Sequence, residues 1–234
     1  MAIEAPQTFS EVEKTSLRDK VAQIIQDRIL AGDFRAGDRI AEIAVARQMR
    51  VGQNTVREAL QIVEHQGLVN KVPHVGTFVA KLSDDEVSQI YRVRVELEPL
   101  AAELTTQRLD PSGVDLLDQM AEQLFASEES HDYARYLRGI LGVHRAVWQL
   151  SGNRFLERAL LDMSHPLFAY LLITEGKSGP PNVRSVTERH CTLVNVIKTR
   201  DVVKAREYCR HVVQESWENT LRKLRELAIE PKTP

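Results

Sequence analysis

Cysteine is almost missing from this sequence: Cys191 and Cys209 are the only two in 234 residues, and they form neither a paired framework nor a Cys-x-x-Cys motif. A disulfide-built scaffold is therefore excluded, and both thiols are expected as small core residues. The N-terminus lacks the basic-then-apolar pattern of a secretion signal, so the expected setting is reducing and cytoplasmic. No uncharged apolar run approaches the roughly 18–20 residues that span a bilayer, which excludes a membrane-spanning helix. Fixed-period repeats and low-complexity segments are absent too. What remains is an ordinary globular composition, 43% hydrophobic and 27% charged, with length enough for one large or two modest domains.

Neither sign of charge dominates the whole chain, since 31 Lys and Arg stand against 33 Asp and Glu. The balance is uneven along it. Residues 1–13 carry Glu4, Glu11 and Glu13 without a base. Residues 14–81 carry 11 bases against 7 acids, and residues 82–234 carry 20 against 23. A mildly basic first domain ahead of a mildly acidic second one is compatible with DNA binding by the first.

Periodicity divides the chain the same way. Residues 1–14, polar and interrupted by Pro6, are expected as a flexible arm. Leu17, Val21, Ile24, Ile25 and Ile29 share one helical face, with Ser16 as cap and Gly32 as stop. Ala41–Met49 is Ala-rich and helix-prone, Arg50-Val51-Gly52 breaks it, and Gln53–Gln66 reads as a third helix ended by Gly67. On a wheel of about 100° per residue, Val56, Ala59, Leu60 and Val63 take one side of that helix. Gln53, Asn54, Arg57 and Gln61 take the other. Leu68–Val72 and Thr77–Ala80, joined by Pro73-His74-Val75-Gly76, alternate like a two-stranded hairpin. Three helices and a hairpin make a winged helix-turn-helix over residues 15–81.

From Ser83 onward only helical periods persist, and residues 82–230 are expected as an all-α bundle of six to seven helices. The helices are placed at Asp84–Arg108, Pro111–Ser127, Tyr133–Leu150, Arg154–Ile173, Arg184–Thr199 and Asp201–Leu227, with a kink at Pro99 and a flexible loop over Gly176–Pro181. The fold class is mainly α.

The run Val51-Gly52-Gln53-Asn54-Thr55-Val56-Arg57-Glu58-Ala59-Leu60, followed by Gly67-Leu68-Val69 and Gly76-Thr77-Phe78-Val79, resembles the DNA-binding domain of the GntR family of bacterial transcription regulators. The bundle resembles the FadR-like branch, whose ligand-binding domain is of the FCD type. The stretches that carry this are Tyr91–Glu98, His144 followed by Ser151-Gly152-Asn153, Glu188-Arg189-His190, and His211. The resemblance implies a homodimeric, ligand-responsive repressor on palindromic double-stranded DNA, with a small organic acid or sugar acid as effector. It implies no enzyme and no membrane partner. About 150 residues after the wing also leave no room for the aminotransferase domain fused to other members of the superfamily.

Two departures stand out. Gly52-Gln53-Asn54-Thr55 replaces the family's usual Ser-Arg-Thr-Pro, so a base-reading Arg gives way to Gln and Asn, which pair best with adenine. In the interface implied here, Arg57 contacts phosphate or guanine, Gln53 and Asn54 read base edges, and Thr55 touches backbone or a thymine methyl. His74 and Gly76 at the wing tip reach the minor groove or flanking phosphates, or serve the hairpin turn alone. In the bundle, the resemblance implies that His144, His190 and His211 converge and hold a divalent ion such as Zn²⁺ or Ni²⁺. The family's Asp one helical turn before the first His is here Ile140, which removes the anionic ligand. The competing reading is a metal-free pocket in which His and Arg hold an anion. Arg94 is assigned to the effector carboxylate, against the alternative of a surface salt bridge to Glu98 at i+4. Outside regulation, the three histidines leave open a metal-dependent hydrolase or a pure metal sensor. No His-Glu-x-x-His motif supplies a base for the hydrolase.

Overall fold

The computed structural model describes residues 16–31, 33–129, 132–175 and 183–229. The expected arm over residues 1–14, the stop at Gly32 and the loop at 176–181 lie outside them.

Helix α1 (Leu17–Leu30) begins at Ser16, whose hydroxyl accepts from the Asp19 amide while the Asp19 carboxylate accepts from Ser16 N at 3.0 Å. This reciprocal capping box satisfies amides that the first turn leaves bare. Strand β1 (Arg39–Ile40) leads into α2 (Glu42–Met49), which stops at Arg50 in the left-handed region, φ +53°. Helix α3 (Gln53–His65) follows after two residues. Its apolar side, Val56, Ala59, Leu60 and Val63, is buried against α1 as its periodicity predicts. Strands β2 (Val69–Val72) and β3 (Gly76–Val79) form the wing, antiparallel, with Val69 opposite Val79 and Val72 opposite Gly76. The sheet has one more strand than the sequence discloses. β1 adds to the other edge of β3, in the order β1-β3-β2. Two residues cannot show an alternation, so β1 carries no period-2 signal.

Lys81 and Leu82 join the wing to α4 (Asp84–Arg108), which opens with a second capping box between Ser83 and Glu86. Helix α4 continues through Pro99 as one element. It packs along α9 (Val202–Ile229). Around this pair stand α5 (Pro111–Glu128), α6 (Tyr133–Leu150), α7 (Arg154–Glu175) and α8 (Val183–Lys198). The helices match the sequence-based limits to within two residues, and the bundle has six among the described residues.

Buried side chains fall into two clusters, one within the winged part and one within the bundle. A single helix enters both. On α7, Leu167 and Phe168 belong to the bundle core, whereas Ala169 is buried in the core of the winged part and Ile173 packs against it. At about 100° per residue, positions 168 and 171 point opposite to 169 and 173. Gly67, at φ +77°, lets the end of α3 approach this helix: a Cβ there would sit 3.2 Å from the backbone of His165 and Pro166.

Candidate functional site

The winged part presents a polar face. Asn54 and Arg57 are exposed at the start of α3, with Gln53 and Thr55 half-buried beside them. A groove between this helix end and the wing is lined by Arg39, Glu42, Gln53, Arg57, Lys71 and His74. Glu42, which sequence reasoning missed, organises it. Its Oε2 accepts from Gln53 Nε2 at 3.1 Å and from Arg57 Nε at 2.7 Å. Burial pushes the Glu42 carboxyl up, but the bonds from Arg57 and Gln53 outweigh that and hold it below the usual carboxylate range. An acid on one helix facing polar groups on another leaves no local sequence pattern, since the partners lie 11 and 15 residues away.

The wing tip is a turn with Pro73 at its first corner and His74, at φ +61°, at its second; Val75 N donates back to Val72 O at 3.1 Å. His74 is exposed. Gly76, at φ +142°, lies against the Arg39 guanidinium, where a Cβ would come within 2.9 Å of Nε.

In the bundle, α4 and α6 build a buried polar chain. Arg94 Nε donates to Glu98 Oε1 at 2.6 Å, with both side chains almost wholly inaccessible. The i+4 pair anticipated at the surface is thus interior. Tyr91 and Phe168 flank the guanidinium at 4.9 and 5.9 Å from their ring centroids. Glu98 Oε2 lies 2.9 Å from His144 Nδ1, an ion-pair distance, but is misaligned for a hydrogen bond and keeps an unfilled acceptor. Burial raises the Glu98 carboxyl, yet the charges of Arg94 and then His144 bring it down to about 2. His190 Nδ1 donates to Val186 O at 2.7 Å, so its Nε2 is an acceptor. The proton in the 3.2 Å contact between the Nε2 atoms of His190 and His144 therefore belongs to His144. Burial, reinforced by His144, pulls His190 down to about 3.

Arg94, His144 and His190 form one wall of a cavity of about 90 Å³, to which α7, α8 and α9 contribute Phe168, Arg189 and Thr220. Ile140 lines it as well. His211 does not. Its side chain is 57% exposed and faces Glu215 across 3.6 Å, while the next residue, Val212, is fully buried. One residue of helix is about 100° of rotation, enough to carry the imidazole outside. The expected three-histidine set is not brought together, and among the described residues no group of three or more His, Cys, Asp and Glu could hold a metal ion. Two imidazoles fall short of the three or four donors such an ion takes.

Two family models match the sequence: "Bacterial regulatory proteins, gntR family" over residues 17–79, and "FCD domain" over residues 89–215. The chain belongs to the GntR family, in its FCD-domain branch. The HTH-type transcriptional regulator YdhC of Bacillus subtilis is 25% identical over 83% of this chain and 92% of its own. The gluconate operon transcriptional repressor of the same organism is 22% identical over 81% and 79%. The solved structure of Escherichia coli McbR/YncC superposes with a TM-score of 0.68 at 21% identity, covering 90% of this chain and 99% of that one. At that identity the likeness speaks for the fold. As a GntR-family regulator the chain is a transcription regulator, in line with the winged helix-turn-helix and helical bundle expected from its sequence. Among the described residues no helix is long and apolar enough to cross a membrane.

Proposed function

We propose that this GntR-family chain is a homodimeric repressor whose affinity for a palindromic operator is set by a small organic acid held in the bundle cavity without a metal ion. The observation that carries the reading is the placement of α7, with Phe168 and Leu171 on the cavity and Ala169 in the core of the winged part. A ligand that shifts this helix acts on both bodies. Two copies are required because one recognition helix spans only a half-site, and a two-fold protein mirrors a palindrome. Arg57 serves phosphate or guanine, Gln53 and Asn54 read base edges, and Thr55 meets backbone or a thymine methyl. His74 approaches the flanking groove, while Gly76 shapes the wing. The relative that acts on the gluconate operon is a repressor.

Metal-free binding is favoured over the three-histidine site by Ile140, which presents hydrocarbon to the cavity, and by His211, whose side chain is exposed and is not part of the cavity lining. Arg94 lines the cavity but already has Glu98 as its anion, so it orients the site and is not its free charge. Selection of bound duplexes from a random-sequence pool by the full chain tests the DNA reading. Enrichment of an inverted repeat is expected; a pool that stays random would overturn it.

A further inference from the structure

Arg39 carries no signal in the sequence, because the two-residue strand β1 has no period of its own. The fold places it at the wing. Ile40, 2% exposed, anchors β1 in the core of the winged part. The segment is pinned along β3 by Val79 N donating to Asp38 O at 2.8 Å and by Gly37 N donating to Val79 O at 3.0 Å. Arg39 stands opposite Phe78, so it shares a face of the sheet with Gly76, two residues nearer the wing tip. Its guanidinium lies over that glycine: a Cβ on Gly76 would meet Nε at 2.9 Å and Nη2 at 3.3 Å.

Arg39, Arg57 and Lys71 all line the groove between the wing and α3. Arg57 is tied to Glu42 at 2.7 Å, and Lys71 lies in the field of the same carboxylate. Arg39 is exposed and, among the described residues, has no hydrogen-bond or ion-pair partner. Its sequence neighbour Asp38 turns its carboxylate to the Arg35 amide at 2.7 Å instead. The groove therefore has an end beside α3 where an acid balances the bases, and an end at the wing where a guanidinium stands unbalanced. A phosphate is repelled beside Glu42 and matched beside Arg39, since its oxygens accept from two guanidinium donors at once.

We propose that Arg39 binds a backbone phosphate of the operator beside the base-reading end of α3, with Gly76 as the seat on which its guanidinium lies flat. This rests on the DNA reading above and adds to it a contact from outside the helix-turn-helix. A phosphate contact strengthens binding to any duplex and carries no base preference of its own. It also gives Gly76 a role in binding, because only a residue without a side chain leaves room for the guanidinium there.

Fluorescence anisotropy of the full chain on its selected operator duplex and on a random duplex, over a series of salt concentrations, tests it. Arg39→Gln should weaken both duplexes by a similar factor, about three- to tenfold at low salt, with the circular dichroism spectrum unchanged. The slope of log affinity against log salt should become shallower by about two per dimer, one phosphate being lost at each half-site. Arg39→Lys, which keeps the charge, should recover most of that slope. Gly76→Ala puts a methyl where the guanidinium lies, on a backbone at φ +142°. It should weaken operator binding in the wild-type chain and do little more in Arg39→Gln, so that the two losses do not add. Unchanged affinity and slope in Arg39→Gln, a loss confined to the operator with an altered selected sequence, or additive losses with Gly76→Ala would each overturn the proposal. A wild-type chain that binds no duplex brings down the DNA reading as a whole, whereas operator binding indifferent to Arg39→Gln brings down this contact alone.

Discussion

Arg57 and Glu42 show how a residue's function depends on a partner that its own sequence neighbourhood does not reveal. Arg57 is held at 2.7 Å by Glu42; on the proposed DNA reading this aims the guanidinium before DNA arrives, and the Glu42 charge discourages phosphate from settling beside it in the groove. Arg57→Ala should cost on the order of 1–3 kcal/mol of operator affinity, measured by anisotropy, with the circular dichroism spectrum unchanged. Glu42→Gln should instead raise affinity for random DNA and narrow the ratio between operator and random sequence, because a repulsive charge is lost and two readers are freed. An unaltered ratio would remove Glu42 from the interface. The polar side of α3 was legible from its 3.6-residue period. Glu42 was not, because the contact joins two helices whose spacing is set by the turn between them. His211 failed for a related reason: a one-residue change of register on a helix exchanges inside for outside, and histidine is common on both.

The buried histidine also sets a pH dependence. His190 falls from 6.5 to about 3 on folding, so between those values the unfolded chain binds the extra proton and stability drops as pH falls. Glu98 falls from 4.5 to about 2, which withdraws further stability below pH 4.5. Thermal unfolding between pH 7 and 4.5 should show a declining midpoint, with a limiting slope of about 1.4 kcal/mol per pH unit from His190. His190→Gln should flatten that decline. A variant curve parallel to the wild type would show that the imidazole is not buried neutral.

At the level of elements, the capping boxes at Ser16 and Ser83 and the glycines after turns explain why the helix limits could be read from sequence. Packing between the two bodies could not be, since Gly67 looks like any helix-ending glycine until α7 is placed against it. Gly67→Ala meets two obstacles, a left-handed backbone costing roughly 1–2 kcal/mol and a Cβ at 3.2 Å from the backbone of His165 and Pro166. It should lower the melting temperature and uncouple cavity from DNA: ligand binding by calorimetry stays near wild type, while its effect on operator affinity shrinks. Retention of the full ligand effect would mean that α7 is not the connection.

In the proposed function, a mildly basic winged part that reads DNA is coupled to a helical bundle that carries a cavity. Such coupling is a free energy and is reciprocal, so each ligand must alter the other's affinity by the same factor. An enriched operator duplex and a cavity-binding carboxylate should therefore be titrated into the full chain in both orders, each with and without the other at saturation. Operator affinity should fall by about 5- to 150-fold with the carboxylate present, and carboxylate affinity by the same factor with operator present. A factor of one in both directions, with both ligands demonstrably bound, would contradict the account.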